Sequence, residues 1–173
     1  MIRLEENGTY IPETTEECKT LASEESTKNF QNYYDDGKRT EEQRKADIYR
    51  GKLYEGYYCL KLLADNNTII SGVRCFQKYS DNGTDITYID KDSKTHYIQV
   101  KTFKTNKYNS YCLSDRNYIK YTANESKTEL VIINVDTDKM FYIDKDTLKT
   151  HAYHIESNDH SFWTIDLAKF QQF

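Results

Sequence analysis

The feature that most limits how this chain can fold is a change of hydrophobic period near Asn66-Asn67. Before it, TEEQRKADIYRGKLYEGYYCLKLLADNN runs on from Thr40 with helical spacing, opened by a Thr cap with two acids behind it and closed by the paired asparagines. After it, apolar residues come in short alternating or continuous runs, TIISGVRCF, DITYID, HYIQVKTF and NSYCLS, parted by the turn-prone clusters DNG and KDSKT. A helical repeat does not sit on a strand, so the chain is predicted to pass from helix to strands at this point. Further on, residues 115–127 read as helical around Arg116–Tyr121, ELVIINV and KMFYID as two strands joined by Asp136-Thr137-Asp138, and DKDTLKTHA as the opening of a short helix. The tail ESNDHSFWTIDLAKFQQF, which holds the single Trp, is expected to close as a helix over 161–171. Upstream, Thr14 followed by Glu17 marks a helix over 14–32, and YYDDGKR a turn after it. This order of elements predicts an α/β chain with a mixed sheet flanked by helices.

A length of 173 residues suits one domain with its own core and is short for two without a visible linker. The expected organisation is therefore a single domain over 1–173. It comprises a polar, acidic helical extension over 1–45, the main body over 46–150 and a C-terminal segment over 151–173. Hydrophobic residues make up 37% of the chain and its mean hydropathy is -0.90, so the core must be modest and must draw on the 16 tyrosines for area. The opening MIRLEENGTY has no apolar stretch fit for a signal sequence, and no segment approaches the roughly 20 apolar residues needed to cross a bilayer. An intracellular protein without membrane association is expected. Cys18, Cys59, Cys75 and Cys112 show neither zinc-ligand nor disulfide-framework spacing, and reduced, mostly buried thiols are the expectation.

The net charge of -4 hides an uneven distribution. Residues 1–47 hold 7 Lys/Arg against 12 Asp/Glu, residues 48–127 hold 13 against 8, and residues 128–173 hold 4 against 8. The basic surplus lies in the middle, where a polyanion would dock. Lys104, Lys107, Arg116 and Lys120, interleaved with Tyr108, Tyr111, Tyr118 and Tyr121, are the candidate contacts to phosphates or bases. An exposed basic edge over core tyrosines accounts for the same pattern. His151, His154 and His160 lack a paired Cys or acid at ligand spacing and read as surface histidines.

The stretch that carries chemistry is GTDITYIDKDSKTHYIQVKTF, residues 83–103. A three-residue loop at 91–93 sets Asp90 opposite Lys94 and, continued along the hairpin, Asp85 opposite Gln99, whose face Lys101 shares. A two-residue loop would instead set Asp85 opposite Val100. On the same strand Ile98 and Val100 face the other way, into apolar packing. In phosphodiester hydrolysis a carboxylate and a carbonyl oxygen can hold Mg²⁺ against the phosphate, while a lysine stabilises the developing charge. An ordinary amphipathic hairpin with a polar outer face has the same pattern. On the long helix, Glu55 falls on the line of Ile48, Cys59 and Leu62, an acid within an apolar stripe. It serves either a metal-bound water or second ion, or a salt bridge to a core lysine.

Together, Gly83-Thr84-Asp85-Ile86 and Ile98-Gln99-Val100-Lys101-Thr102 resemble the active-site signature of PD-(D/E)xK nucleases in the Gln variant, found in group I intron homing endonucleases and Mrr-like restriction enzymes. GKLYEGYYCLKLL is similar to that family's first core helix with its acid, and ELVIINVDTDKMFYIDKDTL to its later strand pair, so the resemblance covers roughly residues 48–150. It implies a restriction-endonuclease-like fold with a mixed central sheet flanked by helices, and a metal-dependent DNA endonuclease using Mg²⁺, with Mn²⁺ able to substitute. It assigns Asp85 as principal metal ligand, Gln99 as second ligand, Lys101 as catalytic lysine and Glu55 as the helix acid. Two positions depart from the commoner pattern: Gln99 replaces an acid, and Thr84 stands where a proline is usual. The implied partner is double-stranded DNA, cut by a homodimer or larger homo-oligomer because two strands need two active sites. A sequence-specific restriction or homing enzyme is the first reading, a Holliday junction resolvase the second, and a DNA-binding protein without catalysis the third.

Overall fold

The longest helix starts at Thr40 for a local reason. The Thr40 hydroxyl accepts from the Gln43 N–H at 3.2 Å, and the Gln43 side chain accepts from the Thr40 N–H at 2.9 Å, which satisfies two backbone donors reciprocally. Glu41 and Glu42 in the first turn and Lys61 in the last complement the helix dipole. Replacing Thr40 with Ala should cost about 1 kcal/mol, seen as a lowered urea midpoint. A midpoint equal to wild type would show the cap to be idle.

The structure, a computed structural model, describes residues 2–4, 9–11, 14–29, 37–65, 69–74 and 84–170. The chain divides into two units, residues 1–95 and 96–173. In the first, β1 (Ile2–Leu4) pairs antiparallel with β2 (Thr9–Ile11). Helix α1 (Thr15–Asn29) begins with the Glu17 N–H donating to the Thr14 hydroxyl, as the spacing predicts. It packs against α2 (Glu41–Ala64), burying Cys18, Leu21 and Ala22, while α2 buries the stripe Ile48, Glu55, Tyr58, Cys59 and Leu62. Desolvation pushes the Cys18 thiol up to about 12, so it stays protonated at neutral pH. Strand β3 (Ile69–Arg74) then pairs antiparallel with β4 (Ile86–Asp90). The last residues of the helix expected over 14–32, most of the YYDDGKR turn, the Asn66-Asn67 stop, Cys75 and the DNG turn lie outside the described residues.

The second unit takes up the chain along β5 (Thr95–Phe103). This strand pairs in parallel with β7 (Thr128–Asn134), which pairs antiparallel with β8 (Met140–Ile143). A parallel pair needs a crossover, here the segment carrying β6 (Ser110–Ser114) and α3 (Asp115–Thr122). After β8 come α4 (Lys145–His151), β9 (Ala152–Ser157), β10 (His160–Asp166) and a single 3-10 turn at Leu167–Lys169. Strand β10 lies between β6 and β9, antiparallel to both. The core of this unit gathers Leu113, Tyr121, Leu130, Ile132, Phe141, Ile143, Leu148, Ile165 and Leu167. The architecture is mixed α/β, as expected from the order of periods.

One assignment is corrected. The tail expected as a helix over 161–171 is strand β10 through Asp166, with only the 3-10 turn beyond it. The run Phe162-Trp163-Thr164-Ile165 is aromatic and β-branched, and such side chains fit a pleated surface better than a helix. Asn158-Asp159 forms a two-residue turn that returns the chain along β9, pairing His160 with Ser157. The weak helical spacing of the tail lost to these cross-strand contacts.

Candidate active site

The signature residues fall in both units. In the first, Asp85 stands one residue before β4, next to the buried Thr84 and partly buried itself. Ile86 and Tyr88 of β4 are buried. The strand runs into the turn that the sequence predicts: the Asp90 N–H donates to the Lys94 carbonyl and the Ser93 N–H to the Asp90 carbonyl, both at 3.0 Å. One carboxylate oxygen of Asp90 also accepts from the backbone of Asp92 and Lys94 at 2.9 Å, and Ser93 takes the left-handed conformation, φ 64°. The loop is therefore three residues, 91–93, with Asp90 opposite Lys94.

Glu55, elsewhere in the first unit, is 6% exposed. Its two carboxylate oxygens each accept from Lys52 Nζ at 2.9 Å, one helical turn earlier. An acid on an apolar stripe needs such compensation, because an unpaired buried charge costs several kcal/mol or more. Lys52 is the partner that the sequence left unnamed.

In the second unit, the alternation of β5 brings Gln99 and Lys101 onto one face with Tyr97 and Phe103. Register with β7 sets Gln99 beside Leu130 and Lys101 beside Ile132, both members of the buried core. Gln99 is 8% exposed and Lys101 half-buried. Ile98 and Val100, facing the other way, are buried as expected. The expectation that only their face meets apolar packing needs correction, because β7 is buried along its whole length and the Gln99 face also borders the core. An amide and an amine at the edge of apolar packing exert stronger fields than they would in water.

Lys104 and Lys107 are exposed on the loop after β5, and Arg116 and Lys120 on α3. Of the interleaved tyrosines, Tyr121 is buried, Tyr111 and Tyr118 pack against the core, and Tyr108 alone is largely exposed. Burial pushes the Tyr111 hydroxyl up to about 12. Cys112, expected as one of the mostly buried thiols, is exposed on β6.

The proposed donor set consists of hard oxygens, the carboxylates of Asp85 and Glu55 and the side-chain carbonyl of Gln99. That chemistry fits Mg²⁺, which takes one or two carboxylates and fills its remaining positions with water and substrate phosphate. Among the described residues no three His, Cys, Asp or Glu side chains gather as an all-protein cage.

Two clusters escaped sequence reasoning. His96 Nδ1 lies 2.7 Å from Glu129 Oε2, the pair almost wholly buried. Near the N-terminus of α3, Asp115 accepts from the Ser161 hydroxyl and lies 3.1 Å from His154 Nε2, while Trp163 stacks on Tyr118 at a centroid distance of 3.5 Å. Ser161 and His154 were not visible as partners because the tail was read as a helix, which hides the β9–β10 hairpin. The Ser161 hydrogen bond, then His154, holds the Asp115 carboxyl below the ordinary carboxylate range. A depressed carboxyl stabilises the fold above its unfolded-state pKa and loses that contribution as pH falls through the folded value. Urea midpoints of wild type and Asp115→Asn should differ at neutral pH and converge on acidification below the usual aspartate range. A gap that stays constant with pH would remove this linkage.

Comparison of the chain with protein-family models, curated proteins and solved structures finds no match.

Proposed function

We propose that this chain is a magnesium-dependent DNA endonuclease with a restriction-endonuclease-like fold, cutting at sites of defined sequence. The observation that carries the reading is the pairing of Gln99 with Lys101 on one face of β5, at the margin of a buried parallel strand pair. An amide held almost out of solvent beside an amine is an unusual use of core-facing strand positions. The resemblance in sequence gives that pair a purpose.

The order of elements supports the same reading. A helix with a buried acid precedes an antiparallel strand pair. Asp85 stands one residue before the second strand of that pair, a three-residue turn leads into the Gln99/Lys101 strand, and a crossover carrying β6 and α3 returns the chain in parallel. No helix of the described residues is long and apolar enough to cross a membrane.

Asp85 and Gln99 are the proposed ligands of Mg²⁺, or of Mn²⁺ in its place, with Glu55, paired with Lys52, proposed to serve a metal-bound water or a second ion. When bound, the ion supplies Lewis-acid stabilisation of the phosphate and lowers the pKa of water. Lys101 donates to the non-bridging oxygens as charge builds on them, a role that a half-buried ammonium serves better than a solvated one. Gln99, neutral and almost wholly buried, would offer its side-chain carbonyl without the cost of burying another charge. Double-stranded DNA is the proposed substrate and a homodimer the proposed working form.

The test is incubation with Mg²⁺ and linear duplex, supercoiled plasmid and four-way junction DNA. Discrete duplex fragments are expected. Junction resolution alone would replace the sequence-specific reading with a resolvase, and binding without cleavage of any of the three would overturn catalysis.

A further inference from the structure

The loop that follows the Gln99/Lys101 strand, residues 104–109, is held by its own polar atoms. The Thr105 N–H donates to Asp136 Oδ2 at 2.7 Å, and the Thr105 hydroxyl accepts from Asn134 Nδ2 at 3.1 Å. Asn106 Oδ1 accepts from the N–H groups of Tyr108 and Ser110 at 3.1 and 3.2 Å, while its Nδ2 donates to the Ser110 carbonyl at 2.6 Å. The Asn109 N–H closes a turn onto the Asn106 carbonyl, and the Asn109 carbonyl accepts from the Leu167 N–H. Asn109 itself takes φ 46°, a conformation Asn tolerates better than most residues.

A loop secured at both ends and through its middle holds what it carries in one place. This one raises Tyr108 to 70% exposure, with Lys107 Nζ 4.6 Å from its ring centroid and Lys104 exposed at its start. The neighbouring tyrosines 111, 118 and 121 all serve the core, so Tyr108 is the one of the four without a packing role in this unit. Over residues 101–120 there are five Lys/Arg against one acid, and that acid, Asp115, is engaged by Ser161 and His154. A rigid, cationic loop with an aromatic tip loses little conformational entropy on binding, and its charge selects a polyanion.

We propose that loop 104–109 is a preformed contact to double-stranded DNA. The Tyr108 ring packs against a deoxyribose and base edge, and Lys104 and Lys107 take the flanking phosphates. The proposal rests on the nuclease reading above and adds the element that holds the substrate beyond the cleavage residues. Asn106 is a positioning residue, acting through the backbone that presents Tyr108.

The experiment is fluorescence-anisotropy titration of a labelled duplex with the full chain carrying Lys101→Ala, at several salt concentrations. Adding Tyr108→Ala should weaken binding by about tenfold at every salt concentration, since truncating an interface anchor commonly costs that much. Tyr108→Phe should bind like the parent. Asn106→Ala should reproduce most of the Tyr108→Ala loss. Replacing Lys104 and Lys107 with Ala should flatten the slope of log affinity against log salt by about two, roughly 0.9 for each phosphate contact. Thermal melting of each variant checks the fold: the exposed Tyr108, Lys104 and Lys107 side chains predict little change, and Asn106→Ala, which removes three loop hydrogen bonds, a modest fall. If Tyr108→Ala binds duplex as tightly as its parent while wild type still cuts, the loop assignment alone is overturned. If neither the parent nor wild type binds duplex DNA, the loop assignment falls together with the nuclease reading.

Discussion

Lys101→Ala is expected to slow cleavage of duplex DNA by about a hundred- to a thousandfold while changing its affinity for the duplex only a few-fold. The size follows from removing one preorganised donor to charge that develops at the phosphate, in a setting that shields it poorly. Lys101 is half-buried on a face it shares with the apolar Leu130 and Ile132 across the strand pair, so water does not replace the lost charge cheaply. Affinity is spared because most of it comes from phosphate contacts spread over the surface, among them those proposed for Lys104 and Lys107. Asp85→Ala should be at least as damaging to cleavage, since it deletes the principal proposed ligand of the ion. Gln99→Glu tests the third position in the opposite direction. A carboxylate there adds charge to the donor set and should lower the Mg²⁺ concentration needed for half-maximal cutting. Single-turnover rates against Mg²⁺ concentration measure all three. Wild-type rates in both Lys101→Ala and Asp85→Ala would remove the site assignment whatever the enzyme proved to cut.

How much of this was legible beforehand depends on whether the deciding interactions were local. The helix at Thr40 was legible because its cap, first-turn acids and apolar stripe lie within one stretch of sequence. A turn at KDSKT was legible from its composition, but its length was open between two and three residues; the Asp90 side chain, accepting from the backbone of Asp92 and Lys94, settles it at three. Helix α3 and strands β7 and β8 also followed their local period. The tail failed for the opposite reason. HSFWTID takes its conformation from β6 and β9, of which β6 lies some 50 positions upstream, at Cys112 against Thr164. The Asn158-Asp159 turn back to β9 was local and legible in principle, whereas the pairing with β6 lies outside any window centred on the tail. Gln99 and Lys101 could be placed on one face by alternation alone, whereas the burial of that face depends on β7, which reaches β5 only through a crossover. Lys52 as the partner of Glu55 was within reach, one turn away on a helix already identified.

The His96–Glu129 pair gives the largest expected effect on stability. The two residues sit on adjacent parallel strands, with Glu129 in register with Ile98, and their side chains are 11% and 12% exposed. Such a pair is held by its geometry, and removing one member leaves a polar group among Ile98, Val131 and Ile133, all fully buried. Glu129→Ala should therefore destabilise the chain by about 1–3 kcal/mol, the usual cost when a buried hydrogen-bonding group loses a partner. For a chain of this size that corresponds to a fall in melting temperature of roughly 5 °C. Glu129→Gln keeps a hydrogen-bonding oxygen for the imidazole and should lose less. Replacing both partners with apolar residues, as in His96→Phe with Glu129→Leu, should recover much of the single-variant loss, because no desolvated group is then left unpaired. That recovery separates an interaction between the two side chains from a separate packing need at each position. Single losses that simply add in the double variant would show that the two residues do not act as a pair. Neither residue belongs to the proposed cleavage site, so Glu129→Gln should cut DNA at the wild-type rate wherever it remains folded.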